Sequence, residues 1–120
     1  MNIKYEKIVD FLLGSNEDEL NRLDFGIIGF DSKGILTAYN TMEETYSGLS
    51  REKVMGKPLF TDIAPCLNNY IVALKFEQNE ELDEYTPYIL SFKVKPTPVD
   101  LRLIKNKKLK YNYILVNRSK

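Results

Sequence analysis

The chain has 120 residues, of which 43% are hydrophobic and 28% charged, a composition typical of one soluble globular domain. Its 17 basic residues balance 17 acidic ones, so bulk charge gives no indication of a nucleic-acid partner. The absence of histidine excludes Ser-His and Cys-His catalysis and histidine-ligated haem. The single cysteine, Cys66, excludes an internal disulfide and, with scattered carboxylates, makes a poor zinc site.

The hydropathy pattern predicts a cytoplasmic protein. No apolar run approaches the roughly 20 residues that a membrane span needs, and the N-terminus lacks the basic, apolar and small-residue order of a signal peptide. We therefore expect no membrane contact. The missing histidine and the single cysteine lead us to expect no metal and no enzymatic activity.

The first 40 residues predict two short helices followed by a β-hairpin. Apolar residues at Ile8 and Leu12 indicate a helix over 4–13 that ends at Gly14, and Asn16 is a good N-cap for a second helix. The hairpin comprises two apolar strands and the turn between them, at residues 26–30, 35–40 and 31–34.

The middle of the chain predicts short helices and then a loop. The helical segments share apolar spacing and a flanking cap or stop residue, and lie at 41–47, 51–54 and 68–78, with at most one turn at 60–64. Ile71, Leu74 and Phe76 are expected to pack inward. The acidic run at 77–84 is predicted as a loop.

Three strands are predicted to complete the chain, at residues 88–95, 99–104 and 111–116. The corner formed by Pro96, Thr97 and Pro98 is expected to interrupt pairing, because proline has no N–H to donate to a neighbouring strand.

This order of elements predicts an α+β domain with a five-stranded antiparallel sheet, in which the N-terminal hairpin lies beside the C-terminal strand. The helices of residues 41–78 should cover one face of the sheet. Residues 1–22 should form a helical cap on the other face, and residues 23–120 the core of what is a single domain overall.

Five segments carry a resemblance to a known family: LDFGII at 23–28, GILTAYN at 34–40, SG at 47–48, VMGKPLFTDIAPC at 54–66 and FKVKPT at 92–97. Their order and spacing resemble the photoactive yellow protein family of PAS domains, over nearly the whole chain from Leu23 onward. The most specific part is the Asp-Ile-Ala-Pro-Cys stretch, with Tyr39 and Glu43 at matching distances before it. The resemblance implies the PAS fold.

The resemblance also implies a chromophore site. In that family a p-coumaroyl group is held as a thioester on one cysteine, which falls on Cys66. The phenolate oxygen is held by a tyrosine and by a glutamic acid four residues later, which fall on Tyr39 and Glu43, and a third hydroxyl residue falls on Ser47. The implied cofactor is p-coumaric acid, although a protein with no cofactor is also consistent with the motifs.

Ser47 departs from the family pattern, which usually has threonine at this position, and two further positions depart from it. Leu49 stands where the family has an arginine that shields the chromophore, and Phe92 stands where it has a flanking tyrosine. If the site exists, Tyr39, Glu43 and Cys66 should face one cavity, and the residues expected to line it are Phe60, Phe92 and Val94.

The spacing of the polar residues has a physical logic of its own. Tyr39, Glu43 and Ser47 repeat every four residues, which places them along one side of a helix or helical turn. A buried carboxyl beside an anionic ligand stays protonated, because desolvation and like charge both raise its pKa, and it can then donate a hydrogen bond. Glu44 is a rival for this role, and a solvent-facing Glu43 is the commoner arrangement.

The sequence leaves two functions open. The first is a sensory PAS domain, acting as a blue-light photoreceptor with a p-coumaroyl thioester on Cys66. The alternative is an interaction or dimerisation module without a covalent chromophore, acting as a homodimer or on an unknown signalling partner. A cysteine acyltransferase is rejected, because no obvious base activates Cys66.

Overall fold

A computed structural model describes residues 1–91 and 96–118. The regular elements in chain order are α1 Ile8–Gly14, α2 Glu17–Asn21, β1 Gly26–Phe30, β2 Leu36–Tyr39, α3 Thr41–Ser47, α4 Arg51–Val54, α5 Ala73–Gln78, β3 Leu82–Leu90, β4 Thr97–Lys105 and β5 Asn112–Arg118. Between α4 and α5 lie two single helical turns, Leu59–Ile63 and Pro65–Leu67. The second turn carries Cys66.

The five strands form one antiparallel sheet in the order β2-β1-β5-β4-β3. The N-terminal hairpin therefore lies beside the C-terminal strand, and the predicted α+β class and sheet are confirmed. Ile28 pairs with Tyr39 on one side and with Ile114 on the other, and Leu103 pairs with Ile114. This register brings the end of β2 and the centre of the sheet to the same level.

Both faces of the sheet are apolar. Neighbouring residues along a strand point to opposite faces, and the central strands carry apolar residues at consecutive positions. Ile28, Leu103 and Ile114 join the core beneath the helices that follow β2. Their neighbours Ile27, Ile104 and Leu115 form a second cluster with residues from α1, Ile8 and Leu12 among them. The expectation that N-terminal helices cover the opposite face is confirmed, and the boundary after residue 22 stays a prediction.

The N-terminal segment is also held by a buried arginine. The guanidinium of Arg102 on β4 donates hydrogen bonds to the backbone carbonyls of Ile3 (2.8 Å) and Tyr5 (2.7 Å). It makes a bidentate ion pair with Asp83 on β3, with both N–O distances 2.8 Å. The side chain of Arg102 is only 5% exposed, so this polar cluster ties the cap to the sheet.

Two predicted helices start later than the sequence pattern indicated. The helix predicted over 4–13 begins at Ile8. The helix predicted over 68–78 begins at Ala73, because the side-chain oxygen of Asn69 accepts the N–H groups of Ile71 and Val72 in a local turn. Leu74 was wrongly placed inward: it is exposed, whereas Phe76 is buried and Ile71 half-buried.

The acidic run was wrongly assigned to a loop in its last part. Strand β3 begins at Leu82, and Asp83 and Glu84 belong to it. Both acids have a basic partner: Asp83 pairs with Arg102, and Glu84 with Lys75 on α5 at 3.1 Å. Acidic residues with basic partners are compatible with a strand. The composition of the run did not reveal these partners, because they lie elsewhere in the chain.

The proline corner does not interrupt pairing at Thr97 and Pro98, which pair with Leu90 and Ile89 of β3. Pro98 comes before the first residue of β4 that pairs with β5, Val99. Its missing N–H therefore costs no bond to β5.

Candidate functional site

Helix α3 is fixed in place by its N-cap. The side-chain oxygen of Asn40 accepts the backbone N–H of Glu43 (3.1 Å) and of Ile27 on β1 (2.9 Å). Its amide nitrogen donates to the carbonyls of Leu20 (2.8 Å) and Phe25 (2.9 Å). A buried asparagine with all these partners sets the angle at which α3 leaves β2, and so sets where the side chain of Glu43 points.

Glu43 is fully buried. Both of its carboxylate oxygens lack a hydrogen-bond partner among the described residues. Burial raises the pKa of Glu43 from 4.5 to about 8, and the charge of Arg118 acts in the opposite direction. The carboxyl is therefore protonated at neutral pH, and its O–H has no acceptor within the described part of the chain.

Tyr39 lies within electrostatic range of this carboxyl, and Ser47 is hydrogen-bonded to Tyr39. The phenol of Tyr39 is buried and hydrogen-bonds the hydroxyl of Ser47, which also accepts the backbone N–H of Leu49 at 3.1 Å. Burial first, and then the charge of Glu43, raise the pKa of Tyr39 above its ordinary value. Tyr39 keeps its proton, so the site presents two weakly acidic O–H groups away from water.

Gly26 on β1 makes room for the carboxyl. A Cβ atom at this position would lie 2.1 Å from Oε1 of Glu43 and 3.3 Å from its Cβ. Contacts this short would force the buried Glu43 side chain to move. The backbone of Gly26 is not left-handed, so glycine is needed here for space and not for its conformation.

We expect Gly26→Ala to lower the free energy of unfolding by about 2 kcal/mol, as overpacking of a filled core does. Chemical denaturation measures the change. Gly14→Ala is the matched control, because an added Cβ there meets no atom within 4 Å at the end of α1. Equal stabilities of the two variants would contradict the close packing of Glu43 on Gly26.

Cys66 is half-buried in its single turn and packs against the core cluster that contains Tyr39. Leu49 and Phe60 pack against the same cluster. The carbonyl of Cys66 accepts hydrogen bonds from the hydroxyl of Tyr88 and from Asn69.

The structure thus brings Tyr39 into a hydrogen bond with Ser47 and into electrostatic range of Glu43. It places Cys66, Leu49 and Phe60 around the same core. Phe92 and Val94 lie outside the described residues, so their predicted place in the pocket stays a prediction.

Sequence reasoning missed the cation of this site. Arg118, at the end of β5, exerts its charge on Glu43. Its guanidinium carbon lies 5.3 Å from the centre of the Tyr46 ring, within the roughly 6 Å range of a cation–π contact. Its Nη2 atom also contacts the carbonyl of Tyr46 at 3.4 Å. Arg118 lies 75 residues after Glu43 in the sequence. The pairing of β5 with β1 brings the two residues near each other in the fold.

Asn40 was also missed, although its position directly before the predicted helix at 41–47 is a recognised N-cap signal. In residues 1–91 and 96–118, no cluster of acidic or cysteine side chains has the arrangement of a metal site. Every helix in that part of the chain is too short or too polar to cross a bilayer.

Comparisons with known proteins identify the family to which this fold belongs. The family model described as PAS fold matches residues 16–112. The photoactive yellow protein of Halochromatium salexigens is 32% identical over 88% of this chain and 89% of its own length. That of Rhodothalassium salexigens is 29% identical, over 82% of this chain and 81% of its own length.

Solved structures give the same result. The photoactive yellow protein domain of the sensor histidine kinase Ppr from Rhodospirillum centenum superimposes with a TM-score of 0.82 and 27% identity, over 91% of this chain and 98% of that domain. A PAS domain of an HTR-like protein from Haloarcula marismortui, 14% identical with a TM-score of 0.61 over 95% of this chain and 98% of its own, shares the fold. By its family match, its relatives and its sheet order, the chain belongs to the photoactive yellow protein family of PAS-fold domains.

Proposed function

We propose that this domain is a sensory module that carries a p-coumaroyl group as a thioester on Cys66 and responds to blue light. The observation that carries the proposal is the Glu43 carboxyl, which is fully buried without a hydrogen-bond partner among the described residues. An unsatisfied buried polar group costs stability, so a ligand that supplies its missing partner explains why the group is there. Relatives named photoactive yellow protein support the choice of ligand.

The side chains fit such a ligand by their chemistry. The half-buried thiol of Cys66 is the group that forms the thioester. Protonated Glu43 and the phenol of Tyr39 are donors for an anionic oxygen, and Ser47 orients the Tyr39 hydroxyl by its hydrogen bond. When bound, a p-coumaroyl thioester supplies a conjugated phenolate that absorbs visible light and isomerises on excitation.

Glu43 is also the proton store of the site. Loss of its proton would leave a carboxylate in surroundings that disfavour charge, as its raised pKa shows. The guanidinium of Arg118 offsets part of that cost by its opposite charge. The remaining cost favours a rearrangement that hydrates Glu43, and such a rearrangement is the physical basis of a signal.

The test is acylation of the purified protein with an activated p-coumaroyl ester. We expect one p-coumaroyl group per chain on Cys66 by mass spectrometry, and visible absorption that shifts to shorter wavelength when the protein is denatured. Cys66→Ala should abolish labelling. Glu43→Gln should label normally but alter the absorption maximum and slow proton transfer. The neighbouring Glu44→Gln should change both much less, because its charge is the smallest of the contributions that act on Tyr39.

The proposal fails if Cys66 takes no label under conditions that acylate an established photoactive yellow protein. An interaction or dimerisation module without a covalent ligand would then be the better account. Leu49 favours that alternative, because an apolar residue stands where the family has a shielding arginine. The cytoplasmic location, the homodimer and the signalling partner stay predictions under either function.

A further inference from the structure

The carbonyl oxygen of Cys66 is held by two side chains that come from different parts of the fold. The hydroxyl of Tyr88 on β3 donates to it at 2.5 Å, and the amide nitrogen of Asn69 donates to it at 3.2 Å. The same amide nitrogen donates to the Tyr88 hydroxyl. The three residues therefore form a closed hydrogen-bonded cluster, which we call the Cys66 clamp.

Asn69 has used both ends of its amide in this cluster. Its side-chain oxygen accepts the N–H groups of Ile71 (3.0 Å) and Val72 (3.1 Å), while its nitrogen serves Cys66 and Tyr88. A side chain with its donors and its acceptor engaged has one favoured orientation. Asn69 thus fixes the segment after Cys66 as well as Cys66 itself.

Tyr88 connects the clamp to the sheet. It pairs with Val99 in the β3–β4 ladder, and its ring packs against the core cluster that contains Tyr39. Among the described residues, the backbone of the turn around Cys66 makes short-range bonds, such as Leu67 N–H to the Ala64 carbonyl at 2.9 Å. Within that part of the chain, the Tyr88 hydroxyl supplies a long-range hydrogen bond to Cys66.

We infer that Tyr88 and Asn69 are positioning residues that hold the Cys66 thiol toward its ligand and limit its exposure to solvent. This inference rests on the proposed function for the identity of the ligand. Acylation requires the thiol and the carbonyl carbon of the ester to meet in one geometry, and small misplacements of a reacting group reduce such rates strongly. A reagent that attacks from solvent has no such requirement.

The first measurement is the alkylation rate of Cys66 with iodoacetamide, which needs no chromophore pocket. Tyr88→Phe and Asn69→Ala should each raise this rate about fivefold, because each removes hydrogen bonds that keep the turn closed. Tyr85→Phe is the matched control for the first variant, since it removes a hydroxyl from an exposed tyrosine of the same strand. Asn68→Ala is the control for the second, and both controls should stay within about twofold of the wild type.

The second measurement is the acylation rate with the activated p-coumaroyl ester. Tyr88→Phe should lower it about fivefold and shift the absorption maximum of the labelled protein, although it keeps the ring in the core. A change that only loosened the fold would raise both rates together. Opposite changes in the two rates are the signature of positioning.

The outcomes separate this inference from the proposed function. If the wild type is not acylated but Tyr88→Phe is alkylated faster than Tyr85→Phe, the proposed function fails and the clamp stands. If Tyr88→Phe and Tyr85→Phe are alkylated at the same rate, the inference is overturned, whether or not the wild type takes the p-coumaroyl group. Tyr88→Phe alone decides the matter if Asn69→Ala does not fold.

Discussion

Replacing Glu43 by glutamine is expected to stabilise the ligand-free protein at pH 7 by about 3 kcal/mol, and to change its stability little at pH 4. Burial raises the pKa of Glu43 from 4.5 to about 8. Between these values the folded protein holds a proton that the unfolded chain releases, so the stability of the wild type falls as the pH rises. Glutamine cannot ionise and escapes this loss.

Urea denaturation at pH 4, 5.5, 7 and 8.5 measures the effect as the difference between Glu43→Gln and the wild type. The difference should grow from about pH 4.5 and level off above about pH 8, where folded Glu43 also ionises. Glu44→Gln makes the same Glu-to-Gln exchange at a half-buried position of the same helix, and it controls for the general titration of the protein. A difference that did not vary with pH would contradict a neutral, buried Glu43.

The sequence predicted helix α3 because the signals for a short helix are local. The four-residue spacing wrongly placed Tyr39 along the same helical side as Glu43 and Ser47, because Tyr39 ends strand β2. The helix predicted over 41–47, with Gly48 as its stop, has the bounds of α3. The burial of Glu43 rather than Glu44 was not decided by spacing. Glu43 can be buried because Gly26 leaves space for its carboxyl. Gly26 lies next to Glu43 only in the folded sheet, where β1 pairs with β2 and β5.

The missed contacts join residues that are far apart in the chain. Tyr88 and Cys66 are 22 positions apart, and no local pattern links a strand tyrosine to the carbonyl of a distant turn. The same reason explains why the start of β3 was missed: Asp83 and Glu84 look like loop residues until Arg102 and Lys75 are known to face them. Long-range partners override the local preference of such residues for loops.

Arg102 is the clearest of these long-range partners, and it leads to the second large effect. Arg102→Ala is expected to lower the free energy of unfolding by about 3 kcal/mol. The change leaves the carbonyls of Ile3 and Tyr5 without their charged donor, and it leaves Asp83 without its ion pair. Arg102→Lys should recover only part of the loss, because an ammonium group cannot match the fork that serves Asp83 and two carbonyls at once.

The loss should be concentrated in the N-terminal cap. Hydrogen exchange should show lower protection in α1, whose Ile8 and Leu12 lie over Ile104 and Leu115, while the amides of the β4–β5 ladder stay protected. Arg51→Ala is the control, because its ion pair with Glu17 is 37% and 59% exposed on the two sides and should contribute less than about 1 kcal/mol. If Arg102→Ala is no less stable than Arg51→Ala, the cap is held by its apolar contacts alone. If it is less stable and α1 loses protection first, the cap is a separable layer whose attachment to the sheet depends on one buried guanidinium.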